Sequence, residues 1–401
     1  MLLSVEELCV RFQRPKLASQ SFFRRRSSST ATKVDTQWIL NGLNLQLERN
    51  DFLVILGPSG SGKTTLLRAI AGLAQPSSGR ILVNGSDITH QPAHRRDLAL
   101  VFQNGGWYDH LTVEQHFQFD SQSKATIERT LKQLDLTELK HQRPNELSGG
   151  QAQRLAIGRA LLRSRSLLML DEPLSQLDQS IRESIRELLR TIYAEQKTFI
   201  YVTHDQQDAM HLATKVAILN RGQIQQIGTP QELFDAPKHR CVAEMIGAPS
   251  MQFFDASLTA ENYSKLSTSL KSVDALANTE SIRAIEFAMT NDSIPNATDC
   301  RLHVGIRPGA WEISPKMAGT KEVEQLDRIS FNATFVDGLF LGHQRRFEFV
   351  VPGSSMSHVQ VVRSWLPERL SLVAGEQYRL SVSRRDLYFF DAETGENVSS
   401  I

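Results

Sequence analysis

The chain has 401 residues, of which 40% are hydrophobic and 22% charged, and its formal net charge is +1. That length accommodates two or three domains with separate cores, and the composition is that of a folded rather than a disordered protein. The near-neutral charge does not indicate a nucleic-acid partner, and no run of ~18 uncharged apolar residues predicts a membrane span.

Apolar runs predict strands in the N-terminal part, at residues 3–12 and 38–56. Between them lies an insertion, about residues 13–37, with an arginine triplet at 24–26 followed by serines and threonines. A solvated loop is the simpler interpretation of such a polar segment. An anionic-lipid or regulatory contact is the alternative.

Further short apolar runs predict strands at 98–102, 166–170 and 198–202, with mostly helical sequence over 111–164 and a helix over 179–195. Alternating strands and helices predict a doubly wound parallel sheet. Beyond about residue 250 the pattern changes to short alternating runs, which predict a small β-barrel or sandwich. Those runs are 303–306, 332–336, 346–351, 359–362 and 378–382.

A phosphate-binding motif follows the apolar run 53–56 and precedes a helical run that begins at Thr65. Glycines allow consecutive backbone N–H groups to surround phosphate oxygens, and the helix N-terminus adds positive potential. Lys63 is expected to reach the β- and γ-phosphates, and the Thr64 hydroxyl to ligate Mg²⁺. The motif consists of Gly57, Pro58, Ser59, Gly60, Ser61, Gly62, Lys63 and Thr64.

Two acidic residues, Asp171 and Glu172, come directly after the apolar run 166–170. A carboxylate is a suitable hard ligand for Mg²⁺, so Asp171 is expected in the metal shell. Glu172 is then placed to orient or deprotonate the attacking water. Such a pair carries weight because a phosphate-binding motif precedes it.

The segment Leu147-Ser148-Gly149-Gly150-Gln151 resembles the signature motif of ABC ATPases. Gln103 resembles the Q-loop glutamine, which also implies a metal ligand, and His204 in Val-Thr-His-Asp resembles the switch histidine. Leu174-Ser-Gln-Leu-Asp178 resembles the D-loop, with Asp178 near the nucleotide. Phe12 stands where the family places an aromatic that stacks on adenine. The resemblance covers roughly residues 2–250.

This resemblance implies ATP and Mg²⁺ as cofactors and a P-loop NTPase domain at 1–245, with a RecA-like core and a helical subdomain at about 104–150. An all-β, oligonucleotide-fold-like regulatory domain is implied for 246–401. In the family the signature faces the nucleotide of the opposite subunit. The implied working unit is therefore a homodimer, or a pair of ABC subunits.

The segments 227–234, 246–253, 303–308 and 387–395 resemble importer ATPases of the maltose and glycerol-phosphate group. That resemblance implies an energy-coupling subunit that binds membrane permeases at the cytoplasmic face of the plasma membrane. A solute-binding protein is implied as an indirect partner, and no nucleic-acid partner is expected. A polyamine, ferric-iron or oxyanion importer is the alternative, followed by a soluble ABC protein of translation or DNA repair, or a mainly regulatory protein.

Two further features depart from the family's pattern. The segment Gly105-Gly-Trp-Tyr-Asp-His110 replaces a Tyr-Ala-Leu-Tyr-Pro-His pattern in the region that receives the permease's coupling helix. The helical subdomain between Gln103 and Ser148 is also several residues short. The first departure bears on the identity of the membrane partner rather than on the ATPase.

Overall fold

The computed structural model describes residues 1–13, 36–103, 105–121, 123–163, 166–259, 299–315, 328–340, 345–350, 359–363 and 372–398. The chain divides into two compact units, Met1–Gln231 and Glu232–Ile401. The boundary expected after residue 245 stays a prediction. Residues 14–35 of the arginine-rich insertion lie outside the described residues.

The first unit alternates strands and helices, as the sequence predicts. Its strands are β1 (Leu3–Gln13), β2 (Thr36–Leu47), β3 (Phe52–Leu56), β4 (Ser78–Val83), β5 (Ser86–Asp87), β6 (Leu98–Val101), β7 (Leu167–Asp171), β8 (Thr198–Thr203), β9 (Lys215–Asn220) and β10 (Gln223–Gly228). Its helices are α1 (Lys63–Ala71), α2 (Val113–Asp120), α3 (Lys124–Gln133), α4 (Gly149–Arg163), α5 (Gln179–Ala194) and α6 (Gln206–Leu212), and α7 (Pro230–Asp235) spans the boundary.

A six-stranded sheet in the order β10-β9-β3-β8-β7-β6 forms the centre of this unit. All neighbours pair parallel except β10, which is antiparallel to β9. β3, β7 and β8 are buried along their whole length, as expected for parallel strands covered on both faces. Their carboxyl ends share one edge, which brings the segments after Leu56, Leu170 and Thr203 together. The predicted α/β fold is confirmed.

A second, antiparallel sheet has the order β2-β1-β4-β5 and shares a core with β3 and α1. The predicted strand region 38–56 is in fact divided into β2 and β3. Between them Glu48 N donates to Asp51 Oδ2 at 3.0 Å, and Asn50 takes a left-handed φ of 63°. Asparagine tolerates that conformation, and a polar turn therefore separates β2 from β3. The hydrophobic pattern of the sequence does not show this division.

Helices α2, α3 and α4 occupy the region 111–164, where the sequence predicts helices. α2 begins with a reciprocal capping pair: Thr112 N donates to Gln115 Oε1 at 2.8 Å, and Gln115 N to Thr112 Oγ1 at 3.3 Å. Gly158 of α4 permits close packing, because a Cβ there would overlap Leu134 and Phe117.

Beyond α7 the second unit is nearly all β. It contains α8 (Arg240–Met245), β11 (Gln252–Thr259), β12 (Asp299–Ile306), β13 (Glu312–Pro315), β14 (Arg328–Phe340), β15 (Arg345–Val350), β16 (Val359–Arg363), β17 (Gln377–Ser383) and β18 (Leu387–Asp391). Two antiparallel sheets, β11-β12-β18 and β13-β17-β14-β15-β16, enclose one core that includes Trp311, Phe349 and Phe389. The predicted C-terminal all-β fold is confirmed.

Within the described parts of the chain, no helix combines the length and the apolar character needed to cross a bilayer.

Candidate functional site

The turn from β3 to α1 carries the phosphate-binding motif. Gly60 and Gly62 have φ angles of 79° and 107°, a region that strongly favours glycine. Gly57 is required for space, since a Cβ there would overlap the Leu219 carbonyl. The first turn of a helix leaves backbone N–H groups without intrahelical partners. The loop therefore presents such donors at the amino end of α1, where an anion is favoured.

Lys63 lies inside this loop with only 5% of its surface exposed. Its Nζ donates to the carbonyl oxygens of Gly57 at 2.8 Å and Pro58 at 3.0 Å. Burial lowers the pKa of Lys63, whereas the nearby carboxylates of Glu172 and Asp171 act to raise it. The ammonium is thus held at the loop by carbonyl dipoles, beside two acidic groups.

Asp171 ends β7 and meets the first turn of α1. Its Oδ1 accepts a hydrogen bond from Thr64 Oγ1 at 3.0 Å. Burial raises the pKa of Asp171, and the hydrogen bond from Thr64 opposes that shift. A hydroxyl and a carboxylate side by side provide hard oxygen ligands of the kind that suit Mg²⁺.

Glu172 and His204 follow neighbouring strands and lie together. Glu172 Oε2 is 3.5 Å from His204 Nδ1. Glu172 adopts a left-handed φ of 47°, which is strained for a residue with a side chain. Its backbone N–H donates to Val202 O at 3.0 Å, and this bond to β8 holds the conformation. Glu172 and His204, which were predicted from separate motifs, are therefore neighbours at the edge of the sheet.

Gln103 is connected to Glu172 through Ser175. Its Nε2 donates to Ser175 Oγ at 3.3 Å, and Ser175 Oγ donates to the Glu172 carbonyl at 3.0 Å. Ser175 lies in the predicted D-loop but was not expected to contact Gln103. Asp178 takes the N-cap position of α5 with an exposed side chain that makes no capping hydrogen bond.

The signature residues begin α4. Ser148 N donates to Gln151 Oε1 at 2.9 Å and Gln151 N to Ser148 Oγ at 3.4 Å, which forms a capping pair. Gly150 is buried, and a Cβ there would overlap Ile181, whereas Ser148 and Gly149 are exposed.

A cavity of about 780 Å³ lies over the phosphate-binding loop. Among the described residues, those of the 148–151 signature do not line it. Four of its lining residues, Trp38, Ile39, Arg221 and Gly222, are absent from the sequence-based site. The described residues that line it are Trp38, Ile39, Ser59, Gly60, Gly62, Lys63, Thr64, Thr65, Glu172, Arg221 and Gly222.

The missed residues come from β2 and from the β9–β10 turn. Trp38 is 46% exposed, and the Arg11 guanidinium lies 5.6 Å from its ring centroid. Gly222, which follows Arg221, donates its N–H to the Ser61 carbonyl at 3.0 Å and so holds the turn at the loop. Its aromatic side chain was the one sequence signal for Trp38. The side chain of Phe12 lies outside the described part of the structure, so its adenine contact stays a prediction.

Comparison with known proteins identifies the family. A family model described as ABC transporter matches residues 40–175. The trehalose import ATP-binding protein of Mycobacterium tuberculosis is 32% identical over 91% of this chain and 95% of its own. The sn-glycerol-3-phosphate import ATP-binding protein of Bartonella bacilliformis is 39% identical over 60% of this chain and 72% of its own.

A third relative, the trehalose/maltose import ATP-binding protein of Thermococcus litoralis, is 40% identical over 55% of this chain and 63% of its own. The similarity to the mycobacterial protein extends through both units, so it includes the second unit as well as the nucleotide site. The chain belongs to the family of ABC transporter ATP-binding proteins, and it is an ATPase.

Proposed function

We propose that this chain is the energy-coupling ATPase of a carbohydrate importer. It acts as a homodimer on permease subunits at the cytoplasmic face of the plasma membrane and is served indirectly by a solute-binding protein. The observation that supports this most strongly is the alignment with a trehalose import ATP-binding protein over 91% of this chain. Similarity confined to the ATPase domain would not have distinguished importers of different solutes.

The chemistry proposed for the site is in-line attack of water on the γ-phosphate of ATP. Lys63 and the N–H groups of the loop bind the phosphates. Thr64, Asp171 and Gln103 would hold Mg²⁺, which would supply positive charge beside the phosphate oxygens. Glu172 orients the water and accepts its proton. His204, 3.5 Å from Glu172, contacts the γ-phosphate. Phosphoryl transfer requires chiefly such positioning and electrostatic stabilisation.

The cavity supports the proposal of a dimer because the described residues that line it do not include the signature. Ser148 and Gly149 are exposed at the start of α4, and none of the described signature residues reaches the cavity of its own chain. A helix start binds anions. The signature of a second copy would therefore complete the phosphate site, and two-fold symmetry would form two equivalent sites.

A permease is expected to dock beside segment 105–110. A cavity of about 430 Å³ lies there, with Leu73, Phe102 and Arg163 among its lining residues. The guanidinium of Arg159 supports this surface, because it donates to Gly106 O at 2.7 Å and to Asp120 at 2.9 Å. Exposed aromatic and apolar groups beside a groove are typical of a protein interaction site.

Transport and partner capture test this proposal together. A strain lacking the chain should lose uptake of labelled trehalose, maltose or glycerol 3-phosphate and keep uptake of spermidine, ferric ion and sulfate. A Lys63→Ala chain should fail to restore it. The tagged chain, purified from detergent-solubilised membranes of its own organism, should bring permeases with it. Loss of spermidine, ferric-ion or sulfate uptake instead would contradict the carbohydrate assignment, and capture without any membrane protein would favour a soluble role.

A further inference from the structure

Arg182, in the first turn of α5, joins two loops of the ATP site. Its Nε donates to the carbonyl oxygen of Leu177 at 2.7 Å, and its Nη2 to that of Ser175 at 3.4 Å. Its Nη1 lies 3.8 Å from Asp205 Oδ2. One guanidinium thus contacts the backbone of the D-loop and the residue after His204.

We propose that Arg182 is a positioning residue for hydrolysis, which holds the D-loop and the His204 loop at a fixed separation around Glu172. Arginine suits this task because its planar guanidinium stays charged and offers several donors in fixed directions. A lysine would supply the charge at a single point and could not make the three contacts together. This inference rests on the roles proposed above for Glu172 and His204.

The D-loop end of this connection reaches the reacting groups through Ser175. The Ser175 hydroxyl donates to the Glu172 carbonyl at 3.0 Å and accepts from Gln103 Nε2 at 3.3 Å. By binding the Ser175 carbonyl, Arg182 therefore fixes the residue that links Gln103 to Glu172. A displacement of Ser175 would move the backbone of Glu172, which is already held in a strained conformation.

The other end is fixed by a network around Asp205. Asp205 Oδ1 accepts from Gln207 N at 2.8 Å, which caps α6. Asp205 Oδ2 also lies 3.4 Å from Arg186 Nη2, and buried Arg186 is paired with Asp208 at 2.6 Å. Asp205 therefore has little freedom to move. Its ion pair with Arg182 transmits that rigidity to the D-loop.

The test measures ATP affinity, kcat and thermal stability in Arg182→Gln, with Arg190→Gln as a matched control. Arg190 lies on the same helix and pairs only with exposed Glu187, at 3.5 Å, among the described contacts. Misalignment of catalytic groups lowers kcat, so kcat of Arg182→Gln should fall about tenfold while the Kd of ATP stays within about twofold. Arg182→Lys should recover only part of the loss, and the control should leave kcat unchanged.

A second arm separates positioning from simple destabilisation. In a His204→Ala background, Arg182→Gln should cause a smaller fold-loss of kcat than in the wild type, because one of the two loops it positions no longer carries a reacting group. Asp205→Asn keeps the acceptor for Gln207 N and should reproduce the loss in kcat, so it carries the test if Arg182→Gln does not fold.

The outcomes are distinguishable. Near-normal hydrolysis by His204→Ala would contradict the role proposed for His204. An impaired His204→Ala together with an unimpaired Arg182→Gln would overturn only the positioning role of Arg182. An equal fold-loss from Arg182→Gln in both backgrounds would overturn it as well.

Discussion

Thr64 Oγ1 donates a 3.0 Å hydrogen bond to Asp171 Oδ1 and thereby joins the first turn of α1 to the end of β7. The two residues are 107 positions apart in the chain, yet they provide the hydroxyl and the carboxylate of one oxygen-rich site. Because the Asp171 carboxylate is buried, its charge affects the free energy of unfolding as well as the rate of hydrolysis.

Asp171→Asn should raise the thermal midpoint of the nucleotide-free chain and lower Mg²⁺-dependent hydrolysis about a hundredfold. Burial raises the pKa of Asp171 above the ordinary 3.8, so the folded state binds its proton more tightly than the unfolded state. The protonated Asp171 carboxyl therefore favours the folded state, and this contribution is lost as the pH rises through the folded-state pKa. At neutral pH the ionised carboxylate of Asp171 destabilises the fold. Asparagine keeps an acceptor for Thr64 without that charge.

Calorimetry and phosphate release measure the two effects, with Asp109→Asn at an exposed position as the control. An Asp171→Asn chain that melts below the wild type and still hydrolyses ATP would contradict this interpretation.

His116 should contribute to stability above pH ~6.5 and lose that contribution as pH falls below it. Its Nδ1 bonds the Thr112 carbonyl at 2.8 Å and its Nε2 accepts from Tyr108 N at 2.9 Å, an arrangement that requires a neutral ring. Burial, aided by the Arg159 charge, lowers the pKa of His116, against the Thr112 hydrogen bond. The unfolded state therefore takes up the proton first.

Denaturant titrations at pH 8 and pH 5.5 should show a smaller loss of unfolding free energy in His116→Gln than in the wild type. His110→Gln, at an exposed histidine, serves as the control. A pKa of His116 at or above ~6.5 in an NMR titration would contradict the prediction.

Trp38→Ala should raise the Kd of ATP about tenfold with a smaller effect on kcat, because stacking of a base on an aromatic ring contributes to binding rather than to chemistry. Trp38→Phe should retain most of the affinity. Phe12→Ala, measured alongside by fluorescence-detected nucleotide titration, tests the aromatic that the sequence favours. Unchanged affinity in Trp38→Ala, with a loss in Phe12→Ala, would assign the base contact to Phe12 instead.

Much of the fold could be predicted because the central strands are short continuous apolar runs. β3, β7 and β8 each end directly before a polar motif, so the parallel sheet and the meeting of Lys63, Asp171 and His204 follow from sequence order and topology. The division of 38–56 into β2 and β3 was harder, since it depends on the left-handed Asn50 within a polar turn.

The rest of the site depends on register, which the sequence does not specify by itself. Trp38 and Arg221 reach the phosphate-binding loop because β2 and the β9–β10 turn come to lie against it. Ser175 and Arg182 act through single hydrogen bonds between loops from different parts of the chain. Such contacts have no local pattern and become visible only in three dimensions.

We propose that Glu172 activates the water that hydrolyses ATP, in a site completed by a second copy of the chain. The most direct test compares Glu172→Gln with the wild type and with Glu183→Gln, an exposed control on α5, by phosphate release, ATP binding and light scattering. Glu172→Gln should bind ATP within about twofold of the wild-type Kd, release phosphate at less than about 1% of the wild-type rate, and accumulate as an ATP-bound dimer. Near-wild-type hydrolysis by Glu172→Gln, or a monomer at saturating ATP, would contradict this role of Glu172 or the shared site, respectively.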